Sequence, residues 1–345
     1  MRKKSVIAMS LMAVCLTLGA CTPREEAASV FGTDEATALE TEKKEETKEA
    51  EEETKAAESS EEITETRTDE NRILVSNLPE VIQSGSTYTG REALEIIEFS
   101  VSDPENTKKL STESKSFGFG AAKEGKPSQL TVENQTYFDS LEVGALAWDN
   151  RAEEKVLYLT FDCGYEYESL TSDMLDILKE KKVPAAFFCT LDYLETAPEV
   201  VTRMIQEGHI VGNHSTTHPA DSAVLSREEL AWEVLGVDNY LRANFGYTSP
   251  YFRFPAGVYS ENALELVYTL GFKNVFWSIA YADWDPKNQQ GADKAFQTVT
   301  ERLHPGAVIL LHTTSPDNAV ILGEFIDYAR QQGYTFSALD EYPWN

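Results

Sequence analysis

The stretch Val156-Leu157-Tyr158-Leu159-Thr160-Phe161-Asp162-Cys163-Gly164 decides how the chain is read. An unbroken apolar run that ends on an acid and a glycine is the mark of a buried strand delivering a carboxylate to its carboxyl end. The pattern then repeats. Residues 169–181 read as an amphipathic helix capped near Thr171, and Ala185-Ala186-Phe187-Phe188-Cys189 as the next strand. The spacing predicts a helix over 198–207, a short strand at His209-Ile210-Val211-Gly212 and an extended segment at Tyr251-Phe252-Arg253-Phe254. Between the last two lies a helix over 226–243, opened by a Ser-x-x-Glu capping box. Helix 261–270, strand Val275-Phe276-Trp277, helix 293–303, strand 307–311, helix 318–331 and a strand near Tyr334-Thr335-Phe336 complete the series. Seven strands alternating with helices over roughly 190 residues imply one α/β domain on a parallel sheet, open or closed, with an ample core.

In parallel α/β folds the reactive side chains gather at the carboxyl ends of the strands. Asp162 follows the first predicted strand, His214 the third, Arg253 closes the fourth, Asp283-Trp284 come after the fifth and His312 after the sixth. All of them fall on one rim, which scattered charges would not produce. In His214-Ser215-Thr216-Thr217-His218-Pro219, two of the five histidines stand four residues apart, a spacing that lets both imidazoles meet one metal ion. Such a pair alone is as often an ordinary surface or core feature. With Asp162 on the same rim it points to a mononuclear metal hydrolase, with the Asp as ligand or general base.

The first 70 residues obey other rules. Met1-Arg2-Lys3-Lys4 and the apolar run 6–18 have the layout of a secretory signal, too short to span a bilayer. Leu18-Gly19-Ala20-Cys21 resembles the lipobox of bacterial lipoproteins, which makes 1–20 a signal peptide and Cys21 a lipid anchor. The rival reading is a plain secretory signal; both put the mature protein outside the cytoplasm. Residues 21–70 are Glu-, Thr-, Ala- and Lys-rich, too poor in apolar groups to offset ordering entropy, and are expected to form a disordered acidic tether. The formal charge of −28 argues against a nucleic-acid partner, whose phosphates require clustered Lys and Arg. Residues 71–115 carry little signal beyond a helix expected around 91–99, and the domain proper is placed at 116–345.

At this point the residues resemble a known family, the polysaccharide deacetylases (NodB-homology domain, family 4 carbohydrate esterases). The resemblance rests on Thr160-Phe161-Asp162-Cys163-Gly164, the run 214–219, Arg253-Phe254-Pro255-Ala256-Gly257, Asp283-Trp284 and Ile309-Leu310-Leu311-His312, in that order. Residues 158–166, 208–219, 276–284 and 304–313, followed by Asp317-Asn318-Ala319, are similar to the delta-lactam-forming muramic acid deacetylases within it. The resemblance implies a distorted (β/α)7 barrel and de-N-acetylation of a peptidoglycan sugar, N-acetylmuramic acid ahead of N-acetylglucosamine. A chitin-like or xylan-like substrate is the alternative, and a glycan-binding lipoprotein without catalysis a further one.

It also implies roles. His214 and His218 would hold a divalent metal, usually zinc; Asp162 would be the base, with Arg253 and Asp283 supporting it, and His312 the acid. A backbone N–H near Ala256 would stabilise the oxyanion, and Trp284, Leu310 and Tyr165 would shape the substrate pocket. His209 and His304 are expected to be structural.

Two departures from the family stand out. Where most members have a second, metal-binding Asp, this chain has Cys163. Its thiolate completes a Cys-His-His site, or it is a filler beside a weakly held metal, or it bridges Cys189; metal proximity is the favoured reading. Ala256 stands where the muramic acid subgroup often has Arg, so a pairing with the lactyl carboxylate is missing there.

Overall fold

The computed structural model describes residues 72–75, 78 and 86–344. The expected signal peptide, the Cys21 anchor and the acidic tether lie outside the described residues. Among the described residues twelve strands run in chain order as β1 Arg72–Leu74, β2 Ser100–Ser102, β3 Lys115–Ser116, β4 Ala145–Leu146, β5 Val156–Cys163, β6 Ala186–Cys189, β7 Ile210–Asn213, β8 Tyr251–Phe252, β9 Val258–Tyr259, β10 Lys273–Val275, β11 Ala307–His312 and β12 Thr335–Phe336. Eight helices accompany them: α1 Gln129–Leu141, α2 Leu170–Lys181, α3 Leu191–Thr196, α4 Pro198–Gln206, α5 Arg227–Phe245, α6 Glu261–Thr269, α7 Ala292–Glu301 and α8 Pro316–Gln331.

The main sheet is parallel throughout, in the order β11-β5-β6-β7-β8-β10-β4, with β12 beside the start of β5. Past β10, Ile279 bridges Ile309, and past β4, Trp148 bridges Ala307, so the sheet curls round onto β11. This is the expected distorted barrel. The added strand β4 is only two residues long, too short for periodicity to reveal.

Alternation along β5 sorts its side chains onto two faces. Leu157, Leu159, Phe161 and Cys163 enter the core shared with Leu175 and Leu178 of α2, Phe187 of β6 and Phe325 of α8. Thr160 and Asp162 take the other face, where register sets His312 of β11 directly beside Asp162. The proposed acid and base are therefore neighbours by strand pairing alone.

α2, α4, α5, α6, α7 and α8 begin within two residues of the expected starts, whereas α1 and the short α3 are not expected from the sequence. Ser226 and Glu229 form the expected capping box on α5. The cap of α2 is not Thr171 but Ser169, in the left-handed region at φ 62° and without a side-chain cap bond. Thr171 is buried and shares a contact with the Tyr193 hydroxyl at 3.2 Å. The helix expected around 91–99 is absent, since that segment runs extended along α5. Its backbone groups go to α5 instead of to a helix of their own: Leu94 N–H donates to the Arg242 carbonyl at 2.9 Å, and Ile97 exchanges two bonds with the Asn239 side chain at 2.9 and 3.1 Å. Tertiary partners have displaced a weak local preference.

Candidate active site

Arg253, immediately after β8, is the centre of the site and is 0% exposed. Its guanidinium donates through Nη1 to Asp162 Oδ1 at 2.7 Å, through Nη2 to Thr160 Oγ1 at 2.8 Å and the Phe276 carbonyl at 3.2 Å, and through Nε to the Val275 carbonyl at 3.0 Å. Its plane lies 4.1 Å from the centroid of the Phe188 ring, a cation–π contact in a dry setting. A buried guanidinium is stable only when so fully engaged. Burial alone would raise the Asp162 carboxyl, but Arg253, with lesser help from His214 and His312, more than offsets it and holds the pKa below the ordinary carboxylate value. Asp162 is thus an anion with one oxygen committed to Arg253 and the other, Oδ2, 3.5 Å from His214 Nε2.

His312 is built differently from the expectation. Asp283 does not support Asp162; it pairs with His312, accepting from Nδ1 at 2.7 Å and from the His312 backbone N–H at 2.9 Å. Two carboxylates therefore serve two partners, Asp162 with Arg253 and Asp283 with His312. Burial would push the His312 imidazolium down, yet Asp283, reinforced by Asp162, raises its pKa above the usual histidine value. With Nδ1 held, Nε2 is the nitrogen left for chemistry.

The histidine loop is held by Ser215 and Thr217 within the motif and by Asn213 and Glu233 outside it. Asn213 accepts from Ser215 N–H at 2.9 Å, Ser215 Oγ from His218 N–H at 3.0 Å, and Glu233 of α5 from Thr217 N–H at 2.8 Å and the Thr217 hydroxyl at 2.5 Å. Ser215 and His218 both adopt left-handed backbone, at φ 73° and 54°, a strain that these bonds sustain. The result sets the two imidazoles with centroids 4.9 Å apart. Glu233 is buried at mid-helix, and the sequence signal that accompanies it is an acid set in the apolar run Ala231-Trp232-Glu233-Val234-Leu235.

These rings fit an ion held by two histidines. His214 donates from Nδ1 to the Arg253 carbonyl at 2.9 Å, which leaves its Nε2 lone pair facing the pocket, and burial lowers its pKa to about 4, keeping the ring neutral as a ligand must be. A third protein ligand does not join them: among the described residues no three His, Cys, Asp or Glu side chains converge on one point. Cys163 is excluded by strand alternation. Being next to Asp162, its thiol turns to the opposite face, buried beside Cys189, and burial pushes its pKa well above the ordinary thiol value. Both cysteines are free, so the bridge is not formed either. Cys163→Ala is accordingly expected to bind zinc within about threefold of the parent in a chelator competition, whereas His218→Ala should weaken binding at least tenfold. A tenfold loss in Cys163→Ala would restore the thiol to the ligand set.

Asp162, His214, His218 and His312 open on a cavity of about 980 Å³. Tyr165, Ala256, Trp284 and Leu310 line it as expected, and Phe119, Trp277, Tyr281 and Arg302 join them. Trp284 and Tyr165 are 60% and 46% exposed, so they form a rim and not a core, with the Trp284 ring 6.2 Å from that of His312. Aromatic faces at a rim suit the apolar faces of sugar rings. Ala256 takes a left-handed conformation at φ 51°, which turns the peptide at the pocket wall. His209 and His304 are buried away from the cavity, His209 with a pKa lowered to about 4 by burial.

Comparison with known proteins gives a consistent result. The sequence profile of the polysaccharide deacetylases matches residues 149–275. The peptidoglycan-N-acetylmuramic acid deacetylase PdaA of Bacillus subtilis (strain 168) is 40% identical over 190 residues, which cover 55% of this chain and 72% of that protein. An uncharacterised protein of Geobacillus stearothermophilus is 46% identical over 189 residues, 54% of this chain and 71% of that one. The structure of Bacillus subtilis PdaA, a family 4 carbohydrate esterase, superposes with a TM-score of 0.63 at 35% identity, covering 68% of this chain and 98% of the other.

Proposed function

This chain belongs to the polysaccharide deacetylase family, hydrolases of the amide bond of N-acetylated sugars, and on that premise we propose that its substrate is peptidoglycan and the sugar it deacetylates N-acetylmuramic acid. The observation that carries the reaction is the pair of dyads, Asp162–Arg253 and Asp283–His312, whose outer members Asp162 and His312 face one cavity from adjacent strands. The likeness to a muramic acid deacetylase in sequence and fold supports the choice of sugar.

Asp162, kept anionic by Arg253, takes a proton from the water that attacks the acetyl carbonyl. His312, protonated at Nε2, returns one to the amine as the C–N bond breaks; acetate and the free amino sugar leave. His214 and His218 would hold a divalent ion, whose contribution is to lower the pKa of the water and polarise the carbonyl. Tyr165 and Trp284 stack on the glycan, and Leu310 closes the wall that receives the methyl group.

The test is the product. Incubated with intact peptidoglycan, peptide-stripped peptidoglycan and chitin oligomers, the protein is expected to release acetate from peptidoglycan and leave muramic acid with a free amine or as its lactam, read by mass spectrometry. Deacetylation of chitin oligomers with no change in peptidoglycan would replace the substrate.

The protein works outside the cytoplasm, tethered through lipid on Cys21, the acidic segment giving it reach into the wall. Cys21→Ser is expected to leave the membrane fraction or remain unprocessed, since neither the short apolar run before it nor the charged run after it holds a bilayer. Processed Cys21→Ser protein that stays with the membrane would remove the anchor.

A further inference from the structure

Asn318, in the first turn of α8, is fully buried, and both ends of its amide are engaged. Nδ2 donates to Asp283 Oδ2 at 2.6 Å and to the His312 carbonyl at 3.0 Å; Oδ1 accepts from the Tyr281 hydroxyl at 2.5 Å. Ser315, the cap of α8, accepts from its backbone N–H at 3.2 Å. Neighbouring side chains pin the segment that carries Asp283. Thr314 donates to the Trp284 carbonyl at 3.1 Å, Asp317 accepts from Gly291 N–H at 2.8 Å, and Ser315 donates at 2.6 Å to Gln289, whose amide donates to the Asp283 carbonyl at 3.0 Å. The start of α8 is thus a clamp on the loop, and Asn318 touches both members of the imidazole–carboxylate pair.

We infer that Asn318 is a positioning residue for the proton-donating imidazole, fixing the Asp283 carboxylate so that His312 Nε2 stays turned into the cavity. The carboxylate has one soft torsion. With Oδ1 on His312 Nδ1, rotation is opposed by what holds Oδ2: the His312 backbone N–H at 2.9 Å and, at 2.6 Å, the Asn318 amide, the shorter of the two bonds and the one made by a side chain. Without it a buried acceptor loses a donor, and the cheapest relief is for the carboxylate to turn, taking the imidazole with it. Tyr281 stands behind the amide and fixes which way its oxygen faces. Because Tyr281 also lines the cavity, the chain Tyr281–Asn318–Asp283–His312 links the substrate wall to the acid.

The inference rests on His312 as proton donor, and its test separates the two. In the full-length chain labelled with ¹⁵N-histidine, the His312 Nδ1–H bound to Asp283 gives a downfield proton resonance, identified by its loss in His312→Gln; five histidines make the assignment tractable. Asn318→Leu, close in volume, is expected to abolish or broaden that resonance and lower kcat about 10–100-fold with KM within twofold, the effect of a misplaced catalytic group. Tyr281→Phe, which removes one hydroxyl, moves both readouts the same way by less, and decides the matter alone should Asn318→Leu fail to fold. If the folded variants keep the resonance and a kcat within twofold, Asn318 is a helix-end residue only and the inference falls. Loss of the resonance with kcat intact upholds the positioning and overturns the acid role of His312.

Discussion

Asp162→Asn is expected to lower turnover about 100- to 10,000-fold while leaving the fold in place, and His312→Ala to do the same, the usual worth of a general base or acid. Asn at 162 keeps an oxygen for Arg253 Nη1, now at 2.7 Å from the carboxylate, so the hydrogen bond and the packing survive while the proton acceptor and its charge are lost; stability falls, and activity is compared where the variant is folded. The two effects should not add, because either loss leaves the other partner without its step. Acetate release at matched circular dichroism checks both, and activity within tenfold of the parent in either variant would remove the mechanism. A milder third variant tests the tuning. The pKa of His312 is raised, so the imidazole stays protonated further toward neutral pH and activity falls as pH climbs through that value. Asp283→Asn takes away the charge that raises it; the alkaline limb of the pH–rate profile should move to lower pH. An unmoved limb assigns it to another group.

Much of this arrangement is legible in the sequence because it follows from one rule: parallel strands alternate with helices and hand their last residues to one rim. That rule by itself places Asp162, His214, Arg253, Asp283 and His312 on one rim. It fails where a residue's partner comes from elsewhere in the chain. Nothing local to Asp283 says whether it will serve Asp162 or His312, and the answer lies in His312 N–H and Asn318, 29 and 35 residues on. Thr160 and Phe188, which cradle Arg253, read as ordinary strand residues. Cys163 is the opposite case: period-two alternation places it on the far face from Asp162, and adjacency in the motif obscured what the strand geometry already dictated. The extended segment at 91–99 was opaque because its hydrogen bonds are made to α5, some 140 residues away.

The largest effect on stability should come from Arg253→Met. The change keeps most of the buried volume but strands the Asp162 carboxylate in a dry site, and breaking a buried pair in this way costs about 3–5 kcal/mol. A domain of this size should lose on the order of 10 °C in Tm. The pH dependence gives the sharper test. In the parent, Asp162 titrates below its unfolded value of 3.8, so the pair's contribution is present above that pH and is lost as pH falls through the lower folded value. Without Arg253, burial is the largest remaining influence, opposed by His214 and His312, and the carboxyl is expected to rise above its unfolded value. The folded state then binds more protons than the unfolded one, and stability declines as pH rises from the unfolded value of 3.8 through the raised folded value, the reverse of the parent's slope for this group. Adding Asp162→Leu to Arg253→Met removes the stranded charge and should recover much of the loss, since an apolar pair of similar volume replaces a buried ion pair at little cost. Chemical denaturation of the parent, the single and the double variant in that pH range measures all three terms. A double variant no more stable than Arg253→Met would mean that the guanidinium's bonds to Thr160 and the carbonyls of Val275 and Phe276, and not its charge, hold this end of the barrel together.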